Sequence, residues 1–163
     1  TVAGITLNPK LSFNQLIEVE AGYTFQRSNY DEAVQWSESV ENRSNRFFRT
    51  PDHYGFYVIS LQSSERLQFN FSGVYTGSMI VQHYAGFINE DRLVNSSSFL
   101  ENNFKVEYTL PFVEKSRLIF NGGVQNFTNA YQNDFDQGQD RDSAFIYGPA
   151  RPRTYFLGMR IEL

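Results

Sequence analysis

The segment Ile17-Glu18-Val19-Glu20-Ala21-Gly22-Tyr23-Thr24-Phe25-Gln26 sets apolar positions against polar ones residue by residue. Side chains along an extended strand point alternately to opposite faces. Ile17, Val19, Ala21, Tyr23 and Phe25 therefore share one face, and Glu18, Glu20, Thr24 and Gln26 share the other. This is the pattern of a strand with one apolar and one polar surface. Towards the N-terminus it repeats, with Ile5, Leu7, Leu11 and Phe13 against Thr6, Asn8, Lys10 and Ser12. Towards the C-terminus a less regular run spans Tyr54 to Leu61. A long one follows, with Leu67, Phe69, Phe71, Tyr75, Met79 and Val81 opposite Gln68, Asn70, Ser72, Thr76 and Ser78. Leu100, Phe104, Val106, Tyr108 and Leu110 then oppose Glu101, Asn103, Lys105 and Glu107. A sixth run covers about Arg117 to Phe127, and the last places Tyr155, Leu157, Met159, Ile161 and Leu163 against Arg160 and Glu162. The expectation is an all-β, antiparallel, up-and-down meander of about seven strands, with residues 1–163 as one unit.

The connections alternate in length. Short ones fall near Asn14-Gln15, Ser63-Ser64-Glu65 and Pro111 to Ser116; long ones cover roughly 31–52, 85–98 and 128–152. In an up-and-down sheet all three long loops lie at one end, the asymmetry of outer-membrane barrels with short periplasmic turns and long extracellular loops. Loops beyond about 12–15 residues are uncommon in compact domains and are usually functional or disordered.

Composition narrows the classes. Aromatic residues make up 17% of the 163, with 16 Phe and 10 Tyr, which favours strand. Mean hydropathy is -0.45, and no stretch reaches the roughly 18 consecutive apolar residues of a membrane-spanning helix. That excludes helical membrane proteins but not a barrel, whose lipid-facing and lumen-facing residues alternate. The net charge of -4 offers no basic patch for nucleic acid. The absence of cysteine excludes disulfides, Fe–S clusters and thiol nucleophiles. No signal peptide opens the chain, and Thr1-Val2-Ala3-Gly4-Ile5 already reads as mid-strand, so a piece of a longer protein is expected.

Alternation alone leaves two destinations for the apolar face. A soluble β-sandwich or lipocalin-like binding module would bury it in a core; a membrane barrel would turn it to lipid. Several runs of 11 residues or more and aromatics near strand ends (Tyr23, Phe25, Phe69, Tyr108, Tyr155) favour lipid, since a tilted membrane strand needs about 9–11 residues and interfacial girdles are aromatic.

Two motifs near the C-terminus carry a family resemblance. Gly123-Val124-Gln125-Asn126-Phe127-Thr128-Asn129-Ala130-Tyr131 resembles the penultimate strand of a TonB-dependent outer-membrane receptor. Tyr147-Gly148-Pro149-Ala150-Arg151-Pro152-Arg153-Thr154-Tyr155-Phe156-Leu157-Gly158 resembles the start of its final strand. The segment between them, Gln132 to Asp142, resembles receptors of the Bacteroidetes type, and Phe48-Arg49-Thr50-Pro51-Asp52-His53-Tyr54-Gly55 resembles their loop-to-strand re-entry. The resemblance implies the C-terminal part of a 22-stranded transmembrane barrel in the cell outer membrane. It implies surrounding lipid, an upstream plug domain, and TonB coupling through an N-terminal region not in this chain. It also implies recognition of the last strand by the barrel-assembly machinery. Family barrels end in an aromatic residue; this chain ends in Leu163 with the preceding alternation intact. The implied task is energised uptake of a scarce or large nutrient (an iron–siderophore, cobalamin or a glycan), with no cofactor and no catalysis.

Candidate residues follow from the loops. Trp36, Phe47 and Phe48 in the first, and Asp134, Asp136, Asp140 and Asp142 in the third, are the expected ligand contacts. The four aspartates supply the oxygens Ca²⁺ prefers, but Gly138 stands where an EF-hand places a ligand and no Glu closes the loop. A solvated outer loop is the simpler reading. His53 and His83, the two histidines, are expected at the outer rim. No nucleophile elbow accompanies them, so a membrane-barrel hydrolase ranks last. Glu18 and Glu20 are expected to pair with Lys105 or Arg160 across the lumen face.

Overall fold

The computed structural model describes residues 1–14, 16–38, 43–113 and 116–163. Its strands are β1 (Val2–Leu7), β2 (Lys10–Phe13), β3 (Ile17–Gln35), β4 (Arg43–Arg46), β5 (His53–Gln62), β6 (Leu67–Thr76), β7 (Ile80–His83), β8 (Arg92–Asn95), β9 (Phe99–Pro111), β10 (Arg117–Gln125) and β11 (Thr154–Glu162). The main sheet runs β1-β3-β5-β6-β9-β10-β11, with every neighbour antiparallel. β2 continues β1 along the same edge of β3, and β4 folds back on the far end of β3. The chain is therefore an all-β up-and-down meander whose seven main strands follow sequence order.

Register turns the alternation into a surface. One row of cross-strand partners reads Leu11, Val19, Ile59, Phe71, Phe104, Val124, Tyr155, apolar from edge to edge. The next row on the opposite face reads Ser12, Glu18, Ser60, Asn70, Lys105, Gly123, Phe156. Because a one-residue slip would exchange the faces, continuity over the whole sheet requires all the registers to agree. None of the side chains of the apolar row is buried, so the apolar face has no second layer covering it. Leu157 is 93% exposed and Ile5 69%. The sandwich expectation, a water-free core beneath these side chains, is not met.

One polar contact interrupts the apolar face. The Tyr57 ring crosses Gly73, where a Cβ would lie 2.3 Å from Cε1, and its hydroxyl donates to the buried Asn102 Oδ1 at 2.5 Å. Only a residue without a side chain leaves that path open.

The connections divide as the sequence indicates. Short links join β2 to β3, β5 to β6 and β9 to β10; long ones join β3 to β5, β6 to β9 and β10 to β11. Three boundaries differ from expectation. The first long loop is partly strand, since β3 runs on to Gln35 and pairs with β4. Met79 and Val81 are not wall residues: β6 ends at Thr76, Gly77 N–H donates to the His53 carbonyl (2.8 Å), and the chain re-forms as the separate β7–β8 hairpin. Glu18 and Glu20 meet Lys10 rather than Lys105 or Arg160, which pair with Glu107 (3.2 Å) and Glu162 (3.0 Å). Lys10 lies directly opposite Glu20 on the neighbouring strand and reaches diagonally to Glu18, its closer partner.

Candidate functional site

The buried cluster of this molecule lies in its loops. Val81 on β7, Phe99 at the start of β9, and Phe145 and Tyr147 in the last loop form it, with Met79, Val94 and Ala130 packed against it. Val81 is completely buried and Phe145 is 2% exposed. The second and third long loops thus share a core of their own, and the hydrophobic effect holds them as a unit above the wall.

Polar contacts specify how they dock. His83 on β7 stacks on Phe145, with ring centroids 3.7 Å apart and planes 5° from parallel. Its Nε2–H donates to Asp136 Oδ1 at 3.0 Å and Oδ2 at 2.9 Å. Both side chains are buried, and His83 Nδ1 finds no partner among the described residues. The Asp142 N–H also donates to Asp136, and Tyr84 N–H and Ala144 N–H donate to Asp142. Burial alone would raise the Asp136 pKa. The Asp142 N–H, His83 and the charge of Arg92 outweigh it and hold the carboxyl below its ordinary value. Tyr147 donates to both oxygens of Asp134 (2.6 and 2.7 Å). Burial, then the Asp134 carboxylate, pushes its phenol up to about 12. At Gly86, φ is +147° and an added Cβ would lie 2.5 Å from the Asp140 carbonyl oxygen, so the loops approach too closely for any side chain.

The neck of the third loop is closed by the two C-terminal motifs. Asn126, in the left-handed region at φ 47°, is 1% exposed. Its Nδ2 donates to the carbonyls of Ala130 (2.9 Å) and Arg151 (2.8 Å), and its Oδ1 accepts from Ala130 N–H (2.8 Å). Its own N–H donates to Asn103 Oδ1 on β9, and Asn129 Oδ1 accepts from Arg153 N–H. One amide side chain therefore ties the exit of β10 to the approach of β11. From the first loop, Arg49 (φ 55°) donates its N–H to the Ile80 carbonyl at 2.8 Å and its guanidinium to the carbonyls of Ala144 and Ile146. It touches all three loops.

The expected ligand residues divide accordingly. Trp36 is buried beside Tyr84 (centroids 6.3 Å). Phe47 packs on Tyr30 (4.4 Å), and Phe48 is half-buried beside it in the chain. Asp134, Asp136 and Asp142 act as internal acceptors, each facing a different donor, while Asp140 is exposed. Among the described residues, no group of three acidic or histidine side chains is arranged to hold a metal ion. His53 is the first residue of β5, where the first long loop enters the sheet, with Nδ1 2.9 Å from the Tyr23 hydroxyl. Sequence reading missed His83 as a partner of Asp136, and missed Asn126 and Arg49 as clamps. The Asn126 signal was available in the motif, but its partner at Arg151 was not.

The third loop encloses an open cavity of about 780 Å³. Tyr131, Phe135, Phe145, Ile146 and Pro149 form its apolar walls, with Arg141, Asp136 and Asp142 as charged groups. This volume is within the range of small-molecule sites.

In fold, the chain is similar to a siderophore receptor. The solved structure is that of PiuA from Acinetobacter baumannii, at 16% identity and a TM-score of 0.63, with 98% of this chain and 21% of that one aligned. The chain thus spans about a fifth of the length of the structure it matches. No protein family matches the sequence, and no curated protein does. At this identity the likeness concerns the architecture: an antiparallel meander with long loops at one end.

Proposed function

We propose that this chain is wall and outer-loop structure of a TonB-dependent outer-membrane receptor. On this reading the apolar face meets lipid, the polar face lines the lumen, and the loops face the cell exterior. The carrying observation is the edge-to-edge apolar row with no layer covering it. A bilayer supplies the missing apolar partner, and strands β5, β6, β10 and β11 have the 9 or 10 residues that a tilted spanning strand needs. The fold likeness to a siderophore receptor supports the same reading.

The finer assignment follows the motifs. The chain is the closing part of a 22-stranded barrel of Bacteroidetes type. A plug domain and the TonB-contacting region lie elsewhere in the same receptor, and the assembly machinery acts on the last strand. The cargo class is a nutrient too large or too scarce for porins: an iron–siderophore, cobalamin or a glycan. This segment shapes a pore and catalyses nothing. Trp36, Phe47, Phe48, Asp134, Asp136 and Asp142 act mainly by holding the outer loops in the shape that ligand meets, and the exposed Asp140 is left to meet it.

The test uses fluorescence quenching in bilayers containing brominated lipid. Trp36 is the single tryptophan, so a Trp36→Phe background is silent. Val106→Trp reports the apolar face and Lys105→Trp the polar face. Strong quenching of the first and little of the second is expected. Equal, weak quenching of both would overturn the membrane reading in favour of a soluble binding module.

A further inference from the structure

The cavity in the third loop has a defined chemical preference. Its walls are mostly aromatic and aliphatic: the rings of Tyr131, Phe135 and Phe145, with Ile146, Pro149 and Pro152. Tyr131, Phe135 and Ile146 are 54%, 48% and 65% exposed, so apolar surface is left open for an occupant. Three charged side chains line it, and they are not equivalent. Asp136 is held by His83 and the Asp142 N–H, and Asp142 by the N–H groups of Tyr84 and Ala144. Arg141 spends one N–H on the Gly138 carbonyl at 2.9 Å and is paired with no carboxylate among the described residues. A guanidinium has five donors in a planar fork suited to a carboxylate or sulfonate. Among the three charged side chains, Arg141 alone has donors left to meet a ligand, and it offers them beside an aromatic wall.

We propose that this cavity binds a small planar aromatic anion, ring against Phe135 and Tyr131 and anionic group on Arg141. The proposal deepens the receptor reading by giving its outer loops a ligand class, and it rests on that reading only for its biological setting. The cavity is walled by one loop, closed at its neck by Asn126 and docked by His83.

The test is calorimetric titration of the full chain in non-ionic detergent, with 2-naphthoate, the neutral 2-naphthamide and 2-naphthylmethylammonium as probes and micelle blanks subtracted. Saturable binding of naphthoate, stronger than of the amide and absent for the cation, is expected. Arg141→Gln should weaken naphthoate by about tenfold and leave the amide unchanged, as removal of a charge-assisted contact predicts. Arg141→Lys should keep most of the affinity, and Phe135→Ala should weaken both ring compounds. Equal binding of anion and amide, indifference to Arg141→Gln, or no saturable binding of any probe would overturn the proposal. The two readings fail separately. Lipid quenching without naphthoate binding removes the ligand class alone, while naphthoate binding by a chain that lipid does not quench removes the receptor.

Discussion

Asn126 shows what one side chain decides in this molecule. It is buried and both its amide hydrogens are used, donating twice to carbonyls while its oxygen accepts once. Asn126→Asp keeps the shape but replaces the donating nitrogen by an oxygen facing two carbonyl oxygens. Loss of both donations and burial of a repelled carboxylate should destabilise the loop neck by about 1–3 kcal/mol or more. Hydrogen exchange should rise through residues 127–153 while the amides of β5 and β6 keep their protection. Unchanged exchange in that loop would show that the neck is held by other contacts. Both motifs that meet here are legible in the sequence. Their contact is not, because residues 126 and 151 are joined by a side-chain amide and a backbone carbonyl, and every residue type carries that carbonyl.

At the scale of elements, two acid–base contacts with opposite pH limits hold the loop core: His83–Asp136 docks the β7–β8 hairpin on the third loop, and Tyr147–Asp134 braces the third loop from within. Asp136 has a lowered pKa, so its contribution is complete above its ordinary value of 3.8 and is lost as pH falls through the folded value below that. Tyr147 has a raised pKa. Its contribution is complete below the ordinary value of 10.0 and is lost as pH rises towards about 12, where a phenolate would face the Asp134 carboxylate. The loop core should therefore persist across the interval between these limits and loosen outside it. In a tyrosinate absorbance titration, Tyr147→Phe should remove one phenol from the late-ionising phase; an unchanged late amplitude in that variant would place the late phenols on other residues. The hairpin itself was only partly legible. Alternation through Met79 and Val81 looked like more wall strand, and period two cannot distinguish a strand that faces lipid from one that faces a loop core. The irregular run at β5 has a related cause: Tyr54, Phe56 and Val58 set apolar groups on the polar face, with Phe56 opposite Gly22 and Val74.

For the whole molecule, the outer edges of β1 and β11 pair with no strand among the described residues. Unpaired N–H and C=O groups along an edge invite another strand. The chain alone in detergent should self-associate with rising concentration in light scattering; a concentration-independent monomer would mean that the edges are closed by each other. The seven main strands, the order of the meander and the placement of long loops at one end were all determined by the sequence. They depend on local periodicity and turn length, which are written residue by residue. The edge-to-edge apolar face was implied but became a fact only with register, since pairing relates residues that no local pattern connects. The loop core, the His83–Asp136 pair and the cavity beside Arg141 were decided by tertiary structure alone. Their partners lie tens of residues apart in loops without periodicity, where burial and hydrogen bonding select the contacts only after the chain has folded.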